Sequence, residues 1–194
     1  MKSAATKSDT ITWDAFRKGD RIAFESIVRS YSKLLFNYGT RFSSNRELIK
    51  ECIQDLFVSL WERRTHLSST DHTKNYLFKS FRINLFKLLN ADHQFVSVND
   101  LPLFEITFNK EAQMITEEYQ LDIKKKLEST FKKLSVKQYE IIYLRYYEGL
   151  SFEEISDIMD ITKKGTYKLL GRAIAVMRRN LTLKDFRFIY LYYC

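Results

Sequence analysis

The sequence predicts an all-α chain of two small helical domains joined by a linker, with a helix-turn-helix in the C-terminal domain. Three observations predict it. A single Pro and five Gly in 194 residues leave few of the tight turns that a sheet-rich protein needs. Apolar residues recur at i, i+3 and i+4 through most of the chain, the period of a helix with one buried face. Residues 96–120 lose that period and hold one Lys against five acids, whereas residues 12–95 carry 14 Lys and Arg against 9 Asp and Glu, and residues 121–194 carry 15 against 9. Two basic lobes thus flank an acidic connector.

Residues 1–11 are polar and small and read as a disordered tail. From Asp20 onward Ile22, Phe24, Ile27, Val28, Tyr31, Leu34, Leu35 and Tyr38 keep a helical period. Asn45 then caps the strongest periodic segment, in which Leu48, Ile49, Cys52, Ile53, Leu56, Phe57, Leu60 and Trp61 form one wide stripe. Glu51, Gln54, Asp55 and Glu62 are left on its polar sides. After Arg64 the run THLSSTDHT is a polar loop without a period.

A third helix spans about Lys74 to Asn90 and is both aromatic and basic. Tyr76, Phe78, Phe81 and Phe86 interleave with Lys74, Lys79, Arg82 and Lys87. Such interleaving suits single-stranded nucleic acid, where cations follow the backbone and rings stack on bases at about 1–3 kcal/mol each. Rings at helical spacing also build cores, and about half of these four are assigned to packing on that account.

Pro102 and the acidic residues around it mark the linker, which is too long for an ordinary connection inside one domain. A helix resumes from Tyr119 to Leu134. Ser135 and Gln138 form a capping box opening a helix with Ile141, Ile142, Leu144, Tyr146 and Tyr147. The domain boundaries read as a tail at 1–11, a helical domain at 12–92, the acidic linker at 93–120, a helix-turn-helix domain at 121–180, and an aromatic tail at 181–194. That last segment, LTLKDFRFIYLYYC, would be an aggregation hazard if exposed. It packs back on its lobe or docks on a partner, with a membrane-surface role the least favoured.

The stretch Gly149 to Arg179 organises the rest. Ser151 and Glu154 make a second capping box, and Ile155, Ile158 and Met159 give its helix one apolar face. Asp160-Ile161-Thr162 breaks the pattern, and Thr162 caps a second helix. On that helix Leu169, Leu170, Ile174 and Met177 can face a core, while Lys163, Lys164, Tyr167, Lys168 and Arg172 gather on the other side. A helix presenting cations and small side chains from its first turns suits the DNA major groove. The plain alternative is an amphipathic hairpin with a solvated basic face.

The net charge of +8 favours a polyanionic partner. Cys52 and Cys194 offer neither a disulfide framework nor a metal spacing, and Cys52 falls on an apolar helix face. His66, His72 and His93 lie in or beside loops without metal-ligand spacing. No nucleophile–base arrangement stands out, so no enzyme activity, cofactor or metal is expected. No apolar run is long enough to cross a bilayer, which reads as a cytoplasmic chain that is not an integral membrane protein.

The order of motifs is a helical lobe with DLF-x-x-LW, an aromatic-basic helix YLFKSFR-x-N, an acidic linker, and LSFEEIS…TYKLL-x-RAI. In that order and spacing the chain resembles the bacterial RNA polymerase sigma-70 family, in its extracytoplasmic-function (ECF) class, which keeps only the second and fourth conserved regions. The resemblance covers about Trp13 to Arg179. It implies that Glu51, Gln54, Asp55, Phe57 and Trp61 bind the clamp helices of the core RNA polymerase largest subunit. It also implies that Lys74, Asn75, Lys79, Arg82 and Asn84 bind the melted −10 promoter DNA. The −35 duplex would be read by Lys163, Lys164, Thr166, Tyr167, Lys168 and Arg172, and the same lobe would contact the polymerase flap.

By the same resemblance the linker threads the polymerase interior, an anti-sigma factor is an expected partner, and no small-molecule substrate is expected. Two departures stand out. Many members have Asn directly after the Arg of the aromatic-basic helix, where this chain has Arg82-Ile83-Asn84. The tail after Arg179 matches no part of the pattern, leaving an autoinhibitory or an anti-sigma contact open. The competing reading is a helix-turn-helix regulator whose N-terminal domain senses a ligand or binds a protein; it lacks any Gly-rich phosphate loop or polar cluster for the ligand.

Overall fold

Helix caps written into the sequence set most of the element boundaries. The computed structural model describes residues 7–91, 117–182 and 185. Among these there is no strand, and the helices are α1 (Lys7–Arg17), α2 (Arg21–Gly39), α3 (Arg46–Glu62), α4 (Thr73–Ala91), α5 (Glu117–Phe131), α6 (Val136–Ile142), α7 (Phe152–Ile158) and α8 (Lys163–Asn180). A 3₁₀ turn at Arg64–His66 follows α3, and a π turn at Tyr143–Tyr147 continues α6. The chain divides into two compact units, one built on the N-terminal helices and one on the C-terminal helices.

The caps act where the sequence places them. The Asn45 carboxamide oxygen accepts from the Leu48 amide at 3.1 Å; α2 has a further cap, not named from sequence, in Asp20, which accepts from Ile22 and Ala23 at 2.8 and 3.1 Å. Ser135 and Gln138 satisfy each other's backbone N–H, as do Ser151 and Glu154 at 2.7 and 3.2 Å. Thr162 accepts from the Gly165 amide at 3.0 Å. Each such cap satisfies a donor the helix leaves unpaired and stabilises it by about 1 kcal/mol.

In the first unit α1 packs on α2, α2 on α3, and α4 against both α2 and α3. Its interior accounts for much of the aromatic content. Trp13, Phe16, Tyr38, Phe42, Phe78 and Phe81 are buried, and Tyr38 touches Phe42, Phe78 and Phe81 with ring centroids 5.0–6.2 Å apart. Gly39, at the end of α2, lies close against side chains of α3 and α4. A Cβ there would stand 2.7 Å from Ile49 and 3.1 Å from Phe81.

Residues 7–11, which the sequence assigns to a disordered tail, are helical, because α1 begins at Lys7. What holds α1 is remote in sequence. The Trp13 indole Nε1 donates to the Ser68 carbonyl at 3.0 Å, and Arg17 Nε donates to the Leu67 carbonyl at 2.6 Å. Asp14 accepts from the Ser69 hydroxyl at 2.8 Å and from Arg17 at 3.0 Å. These bonds hold its carboxyl below its ordinary value of 3.8, the Ser69 bond first and the Arg17 bond next. The polar loop after α3 is thus clasped to α1.

In the second unit α8 packs on α5 and α6, around Phe131, Tyr139, Ile141, Tyr143, Leu144, Ile155, Leu170 and Ala173. Within the π turn Tyr143 and Tyr147 stack at 4.9 Å, and the Tyr143 hydroxyl donates to Glu148 at 2.8 Å. Gly149, at φ +69, turns the chain into α7, a conformation in which a side chain is strained. The Asp160 backbone ends α7 in the same region at φ +52.

The linker assigned to 93–120 lies outside the described residues as far as 116, and α5 has already begun at Glu117. The aromatic tail also lies outside them beyond Thr182, apart from Asp185, as do Cys194 and His93. Asp185 is buried, and its carboxylate accepts from the Thr182 amide at 2.7 Å.

Candidate nucleic-acid interface

The α8 helix carries its charges on one side because its other side is anchored by a buried row. Thr166, Leu170, Ala173 and Met177 are buried at i, i+4, i+7 and i+11, and Lys164, Lys168 and Arg172 project from the exposed face at intervals of four. Six residues of this helix were candidates from sequence. Five are exposed. Thr166 is the correction: it is fully buried and its hydroxyl donates to the Thr162 carbonyl at 3.2 Å, so it supports the helix and has no surface for a base edge.

Lys163 is paired with Glu153 at the start of α7. The pairing raises the lysine and lowers the carboxyl from their ordinary values, through the hydrogen bond before the charge attraction. Tyr167 is half-exposed and stacks on Phe152 at a centroid distance of 4.1 Å and an interplanar angle of 30°. Gly171, Ala175, Arg178 and Arg179 are also exposed on this helix, beyond the candidates named from sequence. A Cβ at Gly171 would meet open space, so packing does not require glycine there.

On α4 the candidates do not share one surface. At about 100° per residue, Asn75, Lys79 and Arg82 fall within roughly 60° of one another. Lys74 stands about 100° away by the same geometry, with its ammonium over the Phe78 ring at 5.5 Å. Asn84 is exposed but lies about 200° from Arg82, so it belongs to another face. Of the four rings, Phe78 and Phe81 are the packed pair. Tyr76 is half-buried against Trp13 at 5.2 Å, and Phe86 against Phe42 at 5.0 Å with Arg82 over it at 4.5 Å.

On α3 the polar candidates Glu51, Gln54 and Asp55 are exposed, and Trp61 is half-buried. Phe57 differs from the other four. It is 6% exposed and meets Phe24 edge-on at 6.3 Å, forming the floor of an open apolar groove of about 750 Å³ between α2 and α3. Any contact it makes with a partner comes through that groove. Val58, 51% exposed on the rim of the groove, was missed; its spacing from Gln54 and Asp55 puts it on their face. Cys52 is inert packing, its thiol pushed up to about 12 by burial and, less, by Asp55.

Among the described residues no cluster of His, Cys, Asp and Glu could hold a metal ion, and no helix is long and apolar enough to cross a membrane. Residues 124–177 match the family model described as "Sigma-70, region 4". No curated protein sequence matches the chain. Its fold is similar to the solved structure of CnrH in complex with the cytosolic domain of CnrY, with a TM-score of 0.61 and 19% identity over 88% of this chain and 95% of that one. The segment that matches the family model contains α6, α7 and most of α8, the basic row included. Residues 124–177 are therefore similar to region 4 of sigma-70, in a chain whose fold is similar to that of CnrH.

Proposed function

We propose that this chain is a dissociable promoter-recognition subunit of RNA polymerase, acting in the cytoplasm. Its region 4 reads the −35 duplex through Lys163, Lys164, Tyr167, Lys168 and Arg172. The face of α4 carrying Asn75, Lys79 and Arg82 holds the melted −10 strand, and the exposed side of α3 with the groove beside it binds the polymerase clamp helices. The single observation that carries the reading is the exposed cationic row on α8, inside the segment that matches sigma-70 region 4. A row of that kind neutralises successive phosphates, and helix side chains beside it reach base edges.

An anti-sigma partner follows from the likeness to CnrH, which was solved with the cytosolic domain of CnrY bound. Such a partner would release the chain to the polymerase when its signal arrives. In vitro transcription on genomic fragments, with core polymerase and this chain as the only added factor, tests the proposal. Specific transcripts that depend on the chain are expected. Sequence-specific duplex binding without any transcript or any affinity for core polymerase would replace it with an ordinary repressor or activator.

A further inference from the structure

The first turns of α7 and α8 are tied together by two neighbouring contacts, the Glu153–Lys163 pair and the Phe152–Tyr167 stack. The stack continues inward. The Arg145 guanidinium sits 4.8 Å from the Phe152 ring centroid and donates to the Leu150 carbonyl at 2.8 Å. A cation, a ring and a second ring thus lie in sequence, and only the last, Tyr167, is half-exposed. We propose that Tyr167 is a specificity-determining residue that recognises a thymine C5-methyl group in the −35 duplex, and that Phe152 and Arg145 are positioning residues for it. This rests on the reading of α8 as the duplex-reading helix.

The chemistry follows from which parts of the ring remain available. Phe152 covers one face of Tyr167 at stacking distance, so the ring cannot wedge between bases with both faces. The stack also restricts its rotation, which lowers the ordering cost of a contact. The uncovered face is an apolar surface presented among Lys163, Lys164 and Lys168, which meet phosphates on either side. In the major groove the thymine methyl is the apolar group that distinguishes a base pair. The lysines give affinity without sequence; the held ring supplies the discrimination.

The test begins with selection of duplexes from a randomised pool by the full-length chain on core polymerase. Each thymine of the selected upstream element is then replaced singly by deoxyuridine, which removes only the methyl. Affinity at one thymine is expected to fall about fourfold, the worth of one buried methyl group. In Tyr167→Ala that thymine-to-uridine ratio falls to about one. Phe152→Leu removes the ring under Tyr167 and is expected to lower the ratio, whereas Phe152→Tyr, which keeps a ring there, is expected to retain it. If duplexes are selected and bind with a steep salt dependence but no thymine is methyl-sensitive, the −35 reading stands and the Tyr167 assignment is overturned. If no duplex is enriched, the reading of α8 falls and this assignment falls with it.

Discussion

Phe57 and Asp55 are two positions apart on α3 and separate fold from binding. Phe57 is buried against Phe24, so Phe57→Ala removes a ring from the core and is expected to cost about 3–5 kcal/mol in thermal or denaturant unfolding. Asp55→Ala, at an exposed position, is expected to stay within about 0.5 kcal/mol of the wild type while weakening binding to core polymerase. Unchanged polymerase affinity in Asp55→Ala would remove α3 from the partner surface. Gly39→Ala is the overpacking counterpart. Its methyl would stand 2.7 Å from Ile49, and the loss is expected to be about 1–3 kcal/mol, with neutral stability as the result that would contradict it. The burial of Phe57 and Thr166 was legible in the sequence, since both continue buried helical stripes, with Leu56 and Leu60 for one and Leu170 and Ala173 for the other. A family resemblance names positions by role, and the period must then say which of them face inward. Gly39 gave no such signal, because close approach between three helices leaves no pattern in one.

Among the elements, those set by local chemistry were legible and those set by remote contacts were not. The caps at Asn45, Ser135, Ser151 and Thr162 each need partners within three residues, so the sequence contains the whole interaction. The start of α1 does not, because Ser68 and Leu67 hold it from 50 or more residues away. The clasp has a pH dependence. A carboxyl held low, as Asp14 is, contributes stability above its ordinary value and loses it as pH falls through its own lowered value. The Trp13 indole resonance is therefore expected to hold its folded position from neutral pH down to the ordinary carboxylate value of 3.8 and to shift only below it. Asp14→Asn should show no such shift, and a matching titration there would assign the change to another group. At the end of α7, Asp160 adopts φ +52, which costs a non-glycine residue about 1–2 kcal/mol. Asp160→Gly is expected to recover about 1 kcal/mol, read as a raised melting temperature.

At the scale of the whole molecule, two basic lobes on an acidic connector should behave as two anion-binding modules with separate targets. A general positive field would attract any nucleic acid to either lobe, whereas a lobe-specific surface responds only to its own probe. The two arrangements differ in a measurable slope. For a duplex carrying only an upstream element, replacing Lys164, Lys168 and Arg172 by Ala is expected to reduce the log–log salt dependence of binding by up to about 2.7, at about 0.9 for each lost phosphate contact. The triple change Asn75→Ala, Lys79→Ala and Arg82→Ala should leave that slope alone. It should instead lower affinity for a single-stranded downstream oligonucleotide, where each lost phosphate contact is worth about 0.7. Slopes measured by fluorescence anisotropy on polymerase-bound chain distinguish the cases. If both triples change both probes equally, the charges act as one diffuse field. The exposed row on α8 would then be a solvated helix face, as the plain amphipathic reading of this hairpin holds.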